Sequence, residues 1–465
     1  MQKKGIAIQM NLPNNIHPAS FRDPAGFVFK NEALYYRYVS KRYQQHYEYA
    51  NSHNVFKEAI EKKLLLSFEE TDAVIFNSID HYKTLLPQQI DFITYPWEWS
   101  FEQLREAAIV TLEICRIALK KGMILKDATP LNLQFVDGKF QWIDHLSFEI
   151  YQQGNAWIAY RQFCELFLNP LIVASFTGME AHRIMLAYPK GISAKQTAAL
   201  LPFKSKWRLH IQLHVFLQAK MQDKQHKTIP RNQNFTAPKI LRIIESLQAC
   251  IQSLQYKTAS SVWGNYYDET IISQAYLNEK KEIIRNILQT IPYQSVLDAG
   301  CNDGEMAKLC NAQASIVAAD ADSTCIDHLH TQIKQNHIKN ICPVVLDLTH
   351  PSGAMGWDNS EQNAFFLRKE YDLIFAFALI HHLAIGSNIP LDKIAEVFSK
   401  TGKQLLIEFV PKEDPKVASM LLSRTDIFVH YTRAGFEEAF CNYYTIIFSV
   451  KSNTTERMIY HMTRK

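Results

Sequence analysis

Three aspartates in the C-terminal half stand where a nucleotide-like ligand needs acceptors. The run Val296-Leu297-Asp298-Ala299-Gly300-Cys301-Asn302-Asp303-Gly304 carries apolar residues into an acidic one and then a glycine-bounded turn. A helix is expected over 305–309. A strand that opens through glycines into a helix exposes bare backbone to a ligand. Asp320 follows Gly300 by 20 residues, at the end of the next apolar run, with Asp322 beside it. An acidic side chain there can accept both hydroxyls of a ribose. A third run ends in Val345-Leu346-Asp347-Leu348, where Asp347 can accept from an adenine amino group and Leu348 can pack on the ring. A fourth leads through Ala378 into His381-His382-Leu383, and a fifth ends at Glu408. Histidine suits proton transfer near neutral pH, so His381 and His382 are candidate bases, and Glu408 is a second acid–base candidate.

These residues need a sheet whose strands end at one edge. Strand-like runs at 295–297, 315–319, 341–345, 371–377, 404–409 and 444–450 alternate with helix-like ones. That alternation predicts an α/β, Rossmann-like sheet built from βαβ units, with ligands at the C-terminal ends of the strands. A dehydrogenase would want Gly-x-Gly-x-x-Gly, whereas this loop is Gly300-x-x-x-Gly304 after an aspartate.

The ordered set Asp298–Gly304, Asp320, Asp347 and Asp372-Leu373-Ile374…His381-His382-Leu383 resembles the class I S-adenosylmethionine-dependent methyltransferases. The resemblance implies S-adenosylmethionine as cofactor. It places Asp298, Gly300, Cys301, Asn302, Gly304, Asp320, Asp322, Asp347, Leu348 and Ala378 around it. It also implies methyl transfer to an oxygen or nitrogen acceptor. Tyr431 and Arg433, further along the chain, are candidates for lining the acceptor side. Cys301-Asn302-Asp303 departs from the family pattern, in which many members have a third glycine. A narrower group of bacterial, nodulation-protein-like proteins is similar through Asn388-Ile389-Pro390-Leu391, Ile407-Glu408-Phe409-Val410-Pro411-Lys412 and Tyr95-Pro96-Trp97-Glu98-Trp99-Ser100. It supplies no acceptor; a small molecule, a glycan and a protein all stay open. A non-catalytic binding or assembly protein with a vestigial site is the rival reading.

The N-terminal half has its own pattern. An Asp23-Pro24-Ala25-Gly26 turn precedes a hairpin expected over 27–39, and apolar residues at helical spacing over 99–121 end at Gly122. Asp127 and Asn132 then show the D-x-x-x-x-N spacing of a kinase catalytic loop. A hairpin centred on Asp137-Gly138 follows, and then Asp144. The region resembles a kinase C-lobe, which would put magnesium on Asn132 and Asp144 and make the protein bifunctional. Against this, Leu125-Lys126-Asp127 replaces the usual His-Arg-Asp, no glycine-rich loop precedes residue 60, and Arg37 is a poor stand-in for the nucleotide-binding lysine. An active phosphotransferase, a kinase-like fold used for binding or scaffolding, and an unrelated fold remain three readings.

At 465 residues the chain exceeds one ordinary core. The expected organisation is an N-terminal α+β domain over 1–221, a linker and helix over 222–256, and the Rossmann-like domain over 257–465. A net charge of +4 gives no strong nucleic-acid signal. Eight scattered cysteines form no C-x-x-C pair, so neither zinc nor a disulfide framework is expected, and a reducing cytoplasm is the expected location. No transmembrane segment is expected, because Glu165, Asn169 and Pro170 interrupt the longest apolar stretch. Residues 155–221 look helical throughout. The interval 200–240 holds eight Lys or Arg against Asp223 alone. It is read either as a solvated face plus linker or as an electropositive wall for an anionic substrate or a membrane surface.

Overall fold

A computed structural model describes residues 8–10, 16–72, 74–76, 78–222, 235–256, 274–422 and 425–465. The chain divides into two units, residues 1–257 with 354–363 and residues 258–353 with 364–465.

The second unit is built on a seven-stranded sheet. Its strands are β1 Ser295–Ala299, β2 Ser315–Asp320, β3 Ile341–Val345, β4 Tyr371–Ala376, β5 Gly402–Phe409, β6 Tyr444–Lys451 and β7 Met458–Arg464. They lie in the order β3-β2-β1-β4-β5-β7-β6. The first five are parallel, and β7 runs antiparallel between β5 and β6. Continuous apolar runs suit parallel strands covered on both faces, and all five residues of β1 are buried. Six strands fall where the sequence predicts them. The seventh was missed because Tyr460, His461 and Thr463 interrupt its apolar pattern; in the fold, His461 pairs with Gln404 at 3.0 Å.

The helix expected over 305–309 is instead a single 3-10 turn, Ala307–Leu309. The Asn311 side chain accepts from the backbone of Gln313 and Ala314 and turns the chain before a second turn can form. The first glycine loop therefore supplies backbone and a tight turn rather than a long helix dipole.

In the first unit the predicted hairpin forms as Gly26–Asn31 against Leu34–Ser40. It extends into a four-stranded antiparallel sheet with His81–Pro87 and Phe68–Glu70. The predicted helix is Phe101–Lys120, held at its start by a capping box between Ser100 and Gln103. It leads into Met123–Leu125 and then the hairpin Leu133–Val136/Lys139–Trp142, where Asp137 and Gly138 take φ of +51° and +77°. The run over 155–221 is broken rather than continuous: one helix ends at Gly178, at φ +75°, and the next at Ala187. Helix Ala237–Ser253, from the interval read as linker and helix, buries Ile240, Ile244, Leu247 and Cys250 and belongs to the first unit. The rest of that linker, 223–234, lies outside the described residues.

Candidate functional site

A cavity of about 320 Å³ opens in the second unit, lined from the C-terminal ends of β1, β2, β3 and β4. Asp298 closes β1. The chain then turns through Gly300 at φ +73°, whose backbone N–H and that of Cys301 both donate to Ala319 O, at 2.8 and 3.0 Å. Asn302 takes φ +52°, and its N–H donates to Asp320 Oδ2 at 2.7 Å. Asp322 N–H donates to Asp320 Oδ1 at 2.9 Å. One carboxylate thus ties the β1 loop to the β2 end.

Of the sequence-predicted cofactor residues, Asp298, Gly300, Cys301, Asn302, Asp320, Asp322, Asp347, Leu348 and Ala378 all line this cavity. Gly304 does not. A Cβ there would lie 2.7 Å from Leu329 Cδ1 and φ is +75°, so the glycine serves close packing of the turn.

The carboxylates are electrostatically loaded. Burial, then the neighbouring Asp320, pushes Asp298 up to about 7, and its Oδ2 has no hydrogen-bond partner among the described residues. Burial likewise pushes Asp320 up to about 6, against the pull of its backbone donors. Asp347 differs: burial would raise it, but Thr349, donating through its N–H at 2.8 Å and its hydroxyl at 2.6 Å, outweighs that and lowers it.

The proposed proton-transfer residues separate. His382 lines the cavity at the start of the wide turn His382–Gly386. Burial holds it down at about 4, so it is neutral at physiological pH. His381 is fully buried and absent from the lining, and neither ring nitrogen has a partner among the described residues. Glu408 is also fully buried behind the wall. It accepts from Tyr276 Oη, Lys280 Nζ, Arg457 Nη1 at 3.3 Å and Ala378 N–H at 2.9 Å. Burial alone would raise Glu408, but Lys280 and Arg457 outweigh it and hold the carboxylate at about 2. Tied by two cations, Glu408 is not a free base, and neither it nor His381 reaches the lining; the acid–base expectation for Glu408 and the catalytic one for His381 are corrected, and both lie behind the wall. Tyr431 donates to Val410 O at 2.8 Å and Arg433 pairs with Glu437 at 2.9 Å; neither reaches the cavity.

Sequence reasoning missed Tyr276, Lys280 and Arg457, which all line the cavity. A signal existed for two of them. Tyr276 and Lys280 lie four apart on the buried face of helix Gln274–Leu288, where a polar pair among apolar neighbours is unusual. Arg457 had none; it arrives from the β6–β7 turn and also binds Asp414, at 2.8 and 3.2 Å.

Residues 270–446 match the family model described as "Methyltransferase domain". Nodulation protein NoeA of Rhizobium meliloti (strain 1021) is 29% identical over 437 residues, 90% of each chain. This chain is an S-adenosylmethionine-dependent methyltransferase. Solved structures similar to this methyltransferase include magnesium protoporphyrin IX methyltransferase of Synechocystis PCC 6803, 15% identical, with a TM-score of 0.32 over 44% of this chain and 92% of that one. N-methyltransferase NodS of Bradyrhizobium japonicum WM9 is 11% identical, with a TM-score of 0.31 over 41% and 98%. The lining fits the cofactor. It offers carboxylate acceptors to hydroxyl and ammonium donors, an unpaired oxygen on Asp298, and a side-chain-free approach at Gly300.

In the first unit, Asp144 is not left for a metal. Arg37 Nη1 lies 2.6 Å from its Oδ1, Leu146 N–H donates to the same oxygen at 3.2 Å, and Ser147 Oγ donates to Oδ2. Burial would raise Asp144, but Arg37 outweighs it and lowers it. Lys126 pairs with Asp23 at 2.9 Å. The expectation that Asp144 holds magnesium with Asn132 is corrected at Asp144, where a guanidinium takes the carboxylate.

Proposed function

We propose that the cavity holds S-adenosylmethionine with its ribose hydroxyls on Asp320, its adenine between Asp347 and Leu348, and its amino-acid end on Asp298 and the Gly300–Asn302 backbone. The observation that carries this reading is the convergence of Asp298, Asp320 and Asp347 on one cavity from adjacent strand ends. The bound cofactor supplies an electrophilic methyl group on a sulfonium leaving group. The protein's own work is positioning. Asp320 fixes the loop it also binds through; the Glu408 cluster fixes Ala378 at φ +50° and anchors Lys280 and Arg457 in the wall. On this reading His382, neutral and on the lining, orients an oxygen or nitrogen acceptor or takes its proton. The acceptor is a nucleophile on a small molecule, a glycan or a protein. With labelled S-adenosylmethionine and cell extract, the full chain is expected to transfer label. His382→Ala is expected to lower kcat by roughly 10- to 100-fold while leaving cofactor affinity unchanged. A wild-type chain that binds the cofactor yet labels nothing would favour the vestigial-site reading.

We further propose that the first unit has a kinase-like fold used for binding or scaffolding. Support comes from the order of antiparallel sheet, helix Phe101–Lys120, Asp127…Asn132, hairpin and Asp144, with Arg37 clamped on Asp144. The unfolding midpoint is expected to stay unchanged with ATP and magnesium. A magnesium-dependent rise that Asp144→Ala removes would turn the reading towards phosphotransfer.

A further inference from the structure

The first unit carries an outward apolar stripe that its own core does not use. Leu209–Ile211, Gln212–Phe216 and Leu217–Gln222 form one continuous helical run. Its inner side buries Ile211, His214 and Val215. Its outer side shows Leu209, Leu213, Leu217 and Met221, each four residues from the next, and all exposed. A four-residue spacing drifts round a 3.6-residue helix; the wide turn Gln212–Phe216 offsets the drift and keeps the four on one side. Just before this run, Phe203 and Trp207 are 70% and 83% exposed, and Leu209, its first residue, is 79% exposed. A tryptophan and a phenylalanine so open beside a leucine stripe are not what a freely solvated face shows.

The charge along this stretch of chain has one sign. Lys204, Lys206, Arg208 and Lys220 stand within 200–222, which contains no Asp or Glu. Lys206 Nζ lies 4.8 Å from the Phe203 ring centre, so cation and aromatic share one patch. Among the described residues no helix is long and apolar enough to cross a bilayer. Exposed Trp, Phe and Leu rimmed by Lys and Arg, on a helix lying along the surface, fit insertion at the headgroup level of an anionic membrane.

We propose that the face formed by Phe203, Trp207, Leu209, Leu213, Leu217 and Met221 docks the protein peripherally on an anionic lipid surface. The reading is independent of the methyltransferase site. The test is co-sedimentation of the full chain with phosphatidylcholine vesicles, with and without phosphatidylglycerol. Partition is expected to be at least about tenfold stronger with the anionic lipid and to weaken with salt. It is expected to fall at least about tenfold both in Trp207→Ser/Leu209→Ser and in Lys206→Glu/Arg208→Glu. Unchanged cofactor affinity and unfolding midpoint certify folding. Should either variant misfold, brominated lipid is expected to quench wild-type tryptophan fluorescence and to lose most of that effect in Trp207→Phe. Equal partition into both vesicle types, no partition at all, or a concentration-dependent dimer that disappears with the apolar substitutions would overturn the proposal; the last result would assign the face to a second copy.

Discussion

Replacing Asp320 by alanine is expected to weaken S-adenosylmethionine binding by roughly 100-fold, read by calorimetry. Two hydrogen bonds to an ionised acceptor are each worth about 1.5–3 kcal/mol, and roughly 3 kcal/mol in total corresponds to that factor. The substitution also removes the acceptor that Asn302 and Asp322 use, so the loop loses its tie to β2 as well as its ligand contact. Asp320→Glu is expected to recover little, because the longer side chain cannot hold both backbone donors in place. Affinity within threefold of wild type in the alanine variant would sink the ribose assignment.

The same carboxylate makes binding pH-dependent. Asp320 sits at about 6 and Asp298 at about 7 without ligand. A ligand that needs them ionised must displace a proton, so affinity falls by up to about tenfold per pH unit below 6 for each group protonated. Calorimetry in buffers of different ionisation enthalpy is expected to detect proton release near pH 6.5. The sign for stability is opposite. Both folded-state values lie above the unfolded one, so the groups' favourable contribution is complete below about pH 3.8 and is lost as pH rises through about 6 and 7. The cofactor-free domain carries that cost at neutral pH, in exchange for acceptors that face the ligand.

Glu408→Ala is expected to destabilise the second unit by about 3–5 kcal/mol, because Lys280 and Arg457 would remain buried with their shared partner gone. For a unit of this size that is a fall of roughly 10 °C in the unfolding midpoint. Glu408→Gln, which keeps the shape and one acceptor oxygen, should cost less. Arg457 keeps Asp414 in either variant, so the loss should concentrate on Lys280 and on the Ala378 backbone. Because Glu408 is held below its ordinary value, its stabilisation is complete above about pH 4.5 and is lost as pH falls through about 2. An alanine variant that melts like wild type but has lost only kcat would return Glu408 to the chemistry and overturn its role as an anchor.

Much of the second unit could be read locally. Asp298, Gly300 and Asp320 are legible because a strand end, a tight turn and an acceptor are each fixed by a few adjacent residues, and a buried parallel strand announces itself as an apolar run. The antiparallel β7 was not legible, because its polar residues find partners only across the sheet. His381 and His382 look equivalent in sequence. The wide turn His382–Gly386 divides them, sending one to the cavity and the other into the core.

In the first unit, sequence spacing alone suggested Asn132 and Asp144 as metal ligands, and Arg37, 107 residues before Asp144, takes that carboxylate instead. Glu408 is the same case: as a residue type it can be a base, and Lys280 and Arg457, distant in the chain, make it an anchor. By itself the sequence marked the cofactor-side candidates that gather on one cavity and six of the seven strands, since both depend on short-range pattern. Only the tertiary structure decided which ionisable groups are free to act. A carboxylate's proton affinity is set by burial and by the charges brought beside it, and those come from chain segments that no local spacing connects.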